Sequence, residues 1–226
     1  MLNFLKNYSG VELLIVLIAY ILAVLCAIVL HELAHGLMAQ RCGDDTPRLS
    51  GRLTLNPAKH LDLLGTVCLL LFGFGWAKPV PVNINNFKER KKGLFLVSIA
   101  GVTTNLIIAF FAIAFSVGLA FISVNFMEAM LASSILYYVI MFFSNFFQYL
   151  AIINIALMIF NLFPIYPLDG FNIVTSLSSY SNKFVLHMQR YSLIYSIILI
   201  FSCDWFLSPA VNWIYEKFLS FWFLVV

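Results

Sequence analysis

Charged residues are scarce in this sequence: Asp, Glu, Lys and Arg make up only 10% of its 226 residues. Soluble domains of ordinary composition carry about 25%. Hydrophobic residues reach 62%, and the mean hydropathy is +0.97. This composition excludes an ordinary soluble domain and predicts a protein that lies in a lipid bilayer. The net charge of +3 is too small to suggest nucleic-acid binding, so we expect no nucleic-acid partner.

Cysteine is also infrequent, and no two of the four cysteines form a CxxC pair. We interpret them as small buried apolar side chains; they are Cys26, Cys42, Cys68 and Cys203. The chain also lacks linkers, internal repeats and low-complexity runs. Its length therefore predicts one domain over residues 1–226.

Long apolar runs occupy most of the chain and predict an all-α polytopic membrane protein with about four to six transmembrane helices. The predicted helical runs are Val11 to about Gln40, Leu94–Phe126, a helix within Ala129–Phe163, and Tyr191–Phe206. We expect Gly43 to end the first run, since glycine is favoured after a helix C-terminus. Asp204 and Pro209 are predicted to interrupt the last run, with 210–226 as an interfacial or spanning helical tail.

The segment between the first two long helices is more polar and contains a shorter apolar run. Residues 61–74 are too few for a full span and predict a re-entrant segment. Pro79 and Pro81 then exclude a helix and predict a short extended edge or loop. Basic residues flank the re-entrant run on both sides. The positive-inside rule therefore favours the cytoplasmic side for both flanks.

Two histidines and a glutamate interrupt the first apolar helix in the sequence HELAH. Because His31 and His35 are four residues apart, they share a helix face and can bind one Zn²⁺ ion. Glu32 then lies beside the open coordination position and can take a proton from water. Such polar residues are costly in lipid unless they have a function. We predict a catalytic zinc site; the alternatives are a chance HExxH sequence or two hydrogen-bonded buried histidines.

A catalytic zinc ion needs a third protein ligand and an open fourth position. Asp169 is the strongest candidate, because the prolines of NLFPIYPLDG break the third long helix just before it. Irregular backbone at membrane depth is tolerated where it lines a cavity enclosed by protein. The alternative is that Asp169 caps the following helix. His60 and His187 lie in polar segments, and we interpret both as surface residues.

Five segments, in this order, resemble the site-2 protease family of intramembrane zinc metalloproteases. They are HELAHGLMAQRCGD, LNPAKHLDLLGT, GWAKPVPVN, AGVTTN and NLFPIYPLDG, within about residues 25–175. The resemblance is to the compact form, since 226 residues leave no room for a PDZ or CBS domain. It implies His31, His35 and Asp169 as zinc ligands and Glu32 as the catalytic acid/base.

The helix after the proline-rich loop departs from the family pattern, which typically reads AGP-x-x-N. This chain has Val102 in place of the proline, while Gly101 and Asn105 keep their spacing. The resemblance implies that Asn105 faces the active site, where its amide could hold the scissile carbonyl or the developing oxyanion. An interhelical hydrogen bond is the alternative. Asn161 is a second candidate for binding the substrate backbone.

These observations predict a zinc-dependent endopeptidase that cleaves peptide bonds in or near transmembrane segments. Its partners would be the bilayer and a membrane-spanning protein or peptide that unwinds locally, because a helix hides its peptide bonds. An extended substrate could also add to the edge formed by residues 78–83; anchoring of the loop is the alternative. We expect a multi-pass protein of a prokaryotic cell membrane, with the zinc about 10 Å inside the cytoplasmic boundary.

Three other functions are compatible with parts of the sequence. One is an HExxH protease of the kind that trims prenylated proteins, but those take a Glu from a distant helix as third ligand. A metal transporter or metal-binding protein should carry a series of acids and histidines along the membrane, and only one such cluster occurs. An inactive homologue acting as a scaffold would have no need of an intact HExxH and Asp169.

Overall fold

The computed structural model of the chain describes residues 8–65, 77–177 and 183–225. Eight α-helices have both ends within these ranges. They are α1 Gly10–Cys42, α2 Thr46–Leu49, α3 Arg90–Asn125, α4 Met127–Ala132, α5 Ser134–Asn161, α6 Asp169–Leu177, α7 Lys183–Arg190 and α8 Ser192–Val225. Most of the predicted re-entrant run at 61–74 lies outside the described residues.

Three of the helices, α1, α3 and α5, are long and apolar enough to cross a membrane. Their 33, 36 and 28 residues correspond to about 42–54 Å, more than the ~30 Å hydrocarbon core of a bilayer. Helix α8 is bent into two arms, Ser192–Ser202 and Trp205–Val225, and is a fourth candidate if the arms form one span. The prediction of an all-α polytopic membrane protein is confirmed. The described residues supply three or four spans, at or below the lower limit of the expected four to six.

The three long helices pack side by side, with α3 antiparallel to α1 and α5. The Tyr137 hydroxyl near the start of α5 donates a hydrogen bond to Glu12 near the start of α1, at 2.9 Å. Near the other end of α1, His35 bonds the carbonyl oxygen of Val97 in the first part of α3. We call the end with His35 and Val97 the site end, and the end with Glu12 and Tyr137 the far end.

Small residues lie where these helices cross, which lets their backbones approach closely. Ala23 and Ala27 of α1, Ala109 of α3 and Ala151 of α5 are fully buried in the central core. Large apolar side chains point outward instead, and Phe111 is 52% exposed. Outward apolar side chains are the surface that a protein presents to lipid.

The site end of α1 stops where the sequence predicts it should. Gly43 has a φ of 110°, which glycine adopts without strain, and its N–H bonds the carbonyl of Gln40. The N–H of Asp44 bonds the carbonyl of Ala39 at 3.0 Å. These two bonds satisfy carbonyls at the helix end and turn the chain sharply back toward the bundle.

The third predicted helical region, Ala129–Phe163, divides into two helices. Helix α4 ends at Ala132, and α5 begins only at Ser134. Ser133 is extended between them, and its hydroxyl accepts a bond from the N–H of Leu136 at 3.4 Å. Serine at this position caps the start of α5. The predicted end of the region is confirmed, since α5 stops at Asn161, before the prolines.

The last helix was expected to be interrupted at Asp204 and Pro209. The bend of 62° falls between the arms Ser192–Ser202 and Trp205–Val225, at the expected Asp204, whereas α8 continues through Pro209. Pro209 is only the fifth residue of the second arm. Only the first four N–H groups of a helix lack a partner within it, so Pro209 costs the second arm one backbone hydrogen bond close to its start. Placing the break at Pro209 was therefore wrong.

Candidate metal centre

Three side chains converge at the site end although one of them is far from the others in sequence. His31 and His35 come from α1, and Asp169 is the first residue of α6. The two Nε2 atoms are 3.0 Å apart, and Oδ2 of Asp169 lies 3.5 Å from His31 and 3.3 Å from His35. Among the described residues, they form the one group of three or more such side chains able to hold a metal ion.

The orientation of His35 is fixed from outside the cluster. Its Nδ1 lies 2.8 Å from the carbonyl oxygen of Val97, so Nδ1 carries the proton and Nε2 presents a lone pair. The His31 ring stands at 90° to the His35 ring, with centroids 4.5 Å apart. Both rings lie against Gly101 of α3. A Cβ there would come within 2.5 Å of His35 and 2.6 Å of His31, so only glycine leaves room for both imidazoles.

The donor set and the spacing fit a zinc ion. Two imidazole nitrogens and one carboxylate oxygen are ligands of catalytic zinc, with the fourth position open. With metal–ligand bonds of roughly 2.0–2.1 Å, ligand atoms of a tetrahedral site lie about 3.4 Å apart, close to the distances found here. Oδ2 of Asp169 is buried and accepts no hydrogen bond from the described residues. Buried lone pairs converging in this way are costly unless a cation joins them.

The position of Asp169 depends on the close approach of α6 to the end of α5. A Cβ on Gly170 would lie 2.1 Å from the carbonyl oxygen of Leu162 and 2.5 Å from that of Phe163. Both obstacles are backbone atoms that cannot rotate away. The alternative role for Asp169 is a helix cap, in which its carboxylate would accept backbone N–H groups; Oδ2, the oxygen that faces the histidines, accepts none from the described residues.

Glu32 lies next to the cluster and is held by the loop that follows the gap in the described chain. Its Oε2 accepts a hydrogen bond of 2.9 Å from the backbone N–H of Val80. Its carboxylate is close enough to His35 and Asp169 to interact with both electrostatically. The proline-rich segment therefore contacts Glu32, the residue beside the candidate metal centre, through its backbone.

Asn105 is fully buried one helical turn beyond Gly101, and its side chain lies beside His31. Neither its amide oxygen nor its amide nitrogen has a partner at hydrogen-bond distance and angle among the described residues, although the amide is close enough to His31 to interact with it. Asn161 differs, since its amide nitrogen donates to the carbonyl of Leu157 in its own helix at 3.0 Å. The functional roles of both asparagines stay predictions.

Three buried polar residues near the site were not identified from the sequence. His60, interpreted as a surface residue, is fully buried, and its Nε2 bonds the carbonyl of Thr54 at 2.8 Å. Asp44 is fully buried, and Arg52 is only 6% exposed. Burial disfavours ionisation of Asp44, but hydrogen bonds from Thr46 and the segment after Val82 outweigh it and hold the pKa of its carboxyl below the usual value.

No pattern in the sequence separates these residues from their neighbours. Asp44 is followed directly by Asp45, and Arg52 stands four residues after Arg48. Asp45 and Arg48 form an exposed ion pair at 3.1 Å, with their side chains 52% and 58% exposed. A helical repeat in the sequence cannot show which of these residues are buried, because the chain here is a short helix followed by a turn.

Comparison with known proteins agrees with the geometry. The model of "Peptidase family M50" matches residues 19–203. The "putative zinc metalloprotease YwhC" of Bacillus subtilis is 44% identical over 157 residues, which cover 70% of this chain and 68% of that protein. The "putative zinc metalloprotease Rip2" of Mycolicibacterium smegmatis is 28% identical over 225 residues, 96% of this chain and 75% of that one. The Rip2 of Mycobacterium tuberculosis is 27% identical over 210 residues, covering 91% and 71%. No solved structure matches the chain.

Proposed function

The chain belongs to peptidase family M50, and from that premise we propose that it is a zinc-dependent endopeptidase acting within the membrane. The observation that carries the proposal is the convergence of His31, His35 and Asp169 beside Glu32, inside an otherwise apolar helix bundle. The first three residues would hold Zn²⁺. Polar groups of this kind are expensive in lipid, and their meeting from distant parts of the chain calls for a shared ligand.

When bound, zinc supplies Lewis acidity, which polarises a peptide carbonyl and makes a water molecule more acidic. Glu32 then acts as general base, accepting a proton from water while the oxygen adds to the carbonyl carbon. When the carbon–nitrogen bond breaks, Glu32 returns that proton to the leaving amine. The Val80 N–H holds Oε2, which leaves Oε1 to take and return the proton. Atoms and charge balance over the two steps, with water as the co-substrate.

Asn105 is the residue best supported for a role in substrate binding. A buried amide without partners costs about 1–3 kcal/mol, and a peptide carbonyl would satisfy it. Because Asn105 lies beside His31, it is suited to donate to the carbonyl oxygen as negative charge develops there. We retain Asn161 as a candidate acceptor for substrate backbone through its amide oxygen, since its nitrogen is already bonded within α5.

The substrates would be transmembrane segments that unwind near the site, because a helical segment hides its peptide bonds. An added strand could use only the backbone groups of the proline-rich segment that are not already bonded, since the Val80 and Asn83 N–H groups go to Glu32 and Asp44. The basic residues around this segment favour the cytoplasmic side of a prokaryotic cell membrane for the site.

The test uses purified protein in detergent with a model transmembrane substrate. Glu32→Gln should keep about one zinc ion per chain and lose cleavage by roughly a thousandfold. Asp169→Ala should lose zinc. His187→Gln is a matched control, since His187 is exposed and bonds Tyr195; it should keep both zinc and activity. Cleavage by Glu32→Gln at the wild-type rate would contradict the catalytic assignment, and a wild-type protein without zinc would contradict the metal site.

A further inference from the structure

We propose that Asp44 and Arg52 are positioning residues that fix the segment 78–83 from its two ends, so that the Val80 N–H keeps Glu32 oriented. This inference rests on the proposed function only in the role given to Glu32. The contacts that support it belong to the loop between α1 and α3, outside the cluster of candidate ligands.

Asp44 holds the later end of the segment. Its Oδ2 accepts a hydrogen bond of 2.7 Å from the backbone N–H of Asn83. Its Oδ1 accepts three more, from the Thr46 hydroxyl at 2.5 Å, the Thr46 N–H at 3.1 Å and the Asn86 amide at 2.8 Å. A fully buried carboxylate with four donors has little freedom to move. It ties the end of α1 to the point where the segment turns toward α3.

Arg52 holds the earlier end. Its guanidinium donates to the backbone carbonyls of Lys59, Lys78 and Pro79, the last at 2.9 Å. Arginine reaches these carbonyls from two nitrogens held in one plane, a geometry that the single ammonium nitrogen of lysine does not reproduce. Next to these contacts the Lys78 N–H bonds the carbonyl of His60 at 2.8 Å. The loop at 52–60 and the start of the segment are thereby joined.

The segment needs such anchors because it cannot be held by a regular ladder of backbone bonds. Pro79 and Pro81 have no N–H to donate. Val80 stands between them, and its N–H goes to Glu32 rather than to a neighbouring strand. Two ionisable side chains therefore replace the missing backbone bonds. Asp44 accepts a bond from an N–H group of the segment, and Arg52 donates bonds to its carbonyl groups.

Burial separates these anchors from ordinary surface charges. Neither Asp44 nor Arg52 forms an ion pair with another described residue. N–H and hydroxyl groups bond the oxygens of Asp44. Carbonyl oxygens bond the two terminal nitrogens of Arg52, while its Nε has no partner among the described residues. Removing either would leave buried polar groups unpaired. Asp45 and Arg48, in contrast, pair with each other in water, where such contacts contribute little. The neighbouring pair therefore provides matched controls.

The first test measures the anchoring directly, by hydrogen–deuterium exchange of the purified full chain in detergent. Asp44→Asn puts an N–H₂ donor against the Asn83 N–H, and Arg52→Lys replaces two terminal nitrogens with one on a shorter side chain. Both variants should speed exchange at 78–83 by roughly tenfold while α1 and α3 stay protected. Asp45→Asn and Arg48→Lys should not. Unchanged exchange in both anchor variants would overturn the proposal.

The second test asks whether the anchors act through the Val80 N–H. Val80→Pro deletes that N–H, and Val80→Ala keeps it as a control for the side chain. We expect Asp44→Asn and Val80→Pro each to lower kcat by roughly 10- to 100-fold, with KM and zinc content little changed. The double variant should be no slower than Val80→Pro alone, because both changes remove one effect. Multiplied losses in the double variant would show that Asp44 acts elsewhere.

The two experiments also separate this inference from the proposed function. If the wild-type chain binds no zinc and cleaves no substrate, the proposed function fails, and the exchange measurement still decides whether the anchors hold the segment. If the wild type cleaves and the anchor variants cleave equally well, the proposed function stands and the positioning role is wrong.

Discussion

Helix α3 contributes to both ends of the bundle and meets its neighbours in different ways at each. At the site end, Gly101 leaves space that two imidazoles occupy, and a Cβ would come within 2.5–2.6 Å of them. Toward the far end, Gly118 of the same helix has no atom within 4 Å of its would-be Cβ. The same residue type is required in one place and dispensable in the other.

The side chains around the two glycines differ as well. Beyond Gly101 lies the unpaired amide of Asn105, whereas before Gly118 the ring of Phe115 stacks on Phe147 with centroids 5.0 Å apart. Aromatic packing of this kind depends on apolar area that several residue types can supply. The comparison indicates that function at the site end depends on particular residues, Gly101 and Asn105. Packing at the far end depends only on the apolar area that the side chains supply.

The largest expected difference between the two ends comes from adding one methyl group at each glycine. Gly101→Ala must displace His31 or His35, so zinc content should fall and cleavage should drop by more than about 100-fold. Gly118→Ala should leave both unchanged and alter stability by about 1 kcal/mol at most. Zinc analysis and cleavage assays on the two variants measure this. A Gly101→Ala protein with the zinc content and cleavage rate of the wild type would contradict the difference proposed between the two glycines.

A second comparison concerns two fully buried asparagines. Asn105→Leu replaces an unpaired amide with an apolar group of similar size, so the thermal midpoint should hold or rise. Cleavage should nevertheless fall by roughly 100-fold, since a donor to the substrate carbonyl is lost. Asn154 donates to the carbonyl of Leu150 within α5 at 2.7 Å, and Asn154→Leu should leave cleavage within about threefold of wild type.

Equal losses in the two asparagine variants would mean that both residues act only in packing. A fall in the thermal midpoint of Asn105→Leu would point the same way, because it would reveal a structural bond at that amide. Thermal unfolding and steady-state cleavage on the same preparations distinguish these outcomes.

The smallest effect is expected where α8 meets the middle of α3. The indole N–H of Trp222 donates to the carbonyl of Phe110 at 3.0 Å. Trp222→Phe removes that bond and keeps an aromatic ring, so the free energy of unfolding should fall by about 1 kcal/mol. Zinc content and cleavage should not change. A loss of activity as large as that of Asn105→Leu would show that this region also controls the site.

The sequence was sufficient to predict the features that repeat along a helix or break one. The spacing of His31 and His35 placed them on one face of α1, and the prolines before Asp169 predicted the end of α5 correctly. The membrane class also followed from composition alone. Each of these features is local, so a short stretch of residues contains the information.

Contacts between the chain's loops could not be predicted in this way. Asp44 and Asp45 are identical neighbours, and only the fold buries the first and exposes the second. The contact between Val80 and Glu32 uses a backbone N–H, which every residue except proline possesses. Interruptions of α8 were expected at both Asp204 and Pro209. The bend falls at the first, and the helix continues through the second, although proline breaks helices in general.

The bond between the Val80 backbone and Glu32 has a consequence for how this family of chains varies. The contact is made by a backbone N–H group, so it does not depend on which side chain stands at position 80. We therefore expect different apolar residues at position 80 in related chains, each keeping the hydrogen bond to the glutamate. An alignment of these chains should show a variable position there. Proline is the one substitution expected to be missing from that position, although prolines stand on both sides of it.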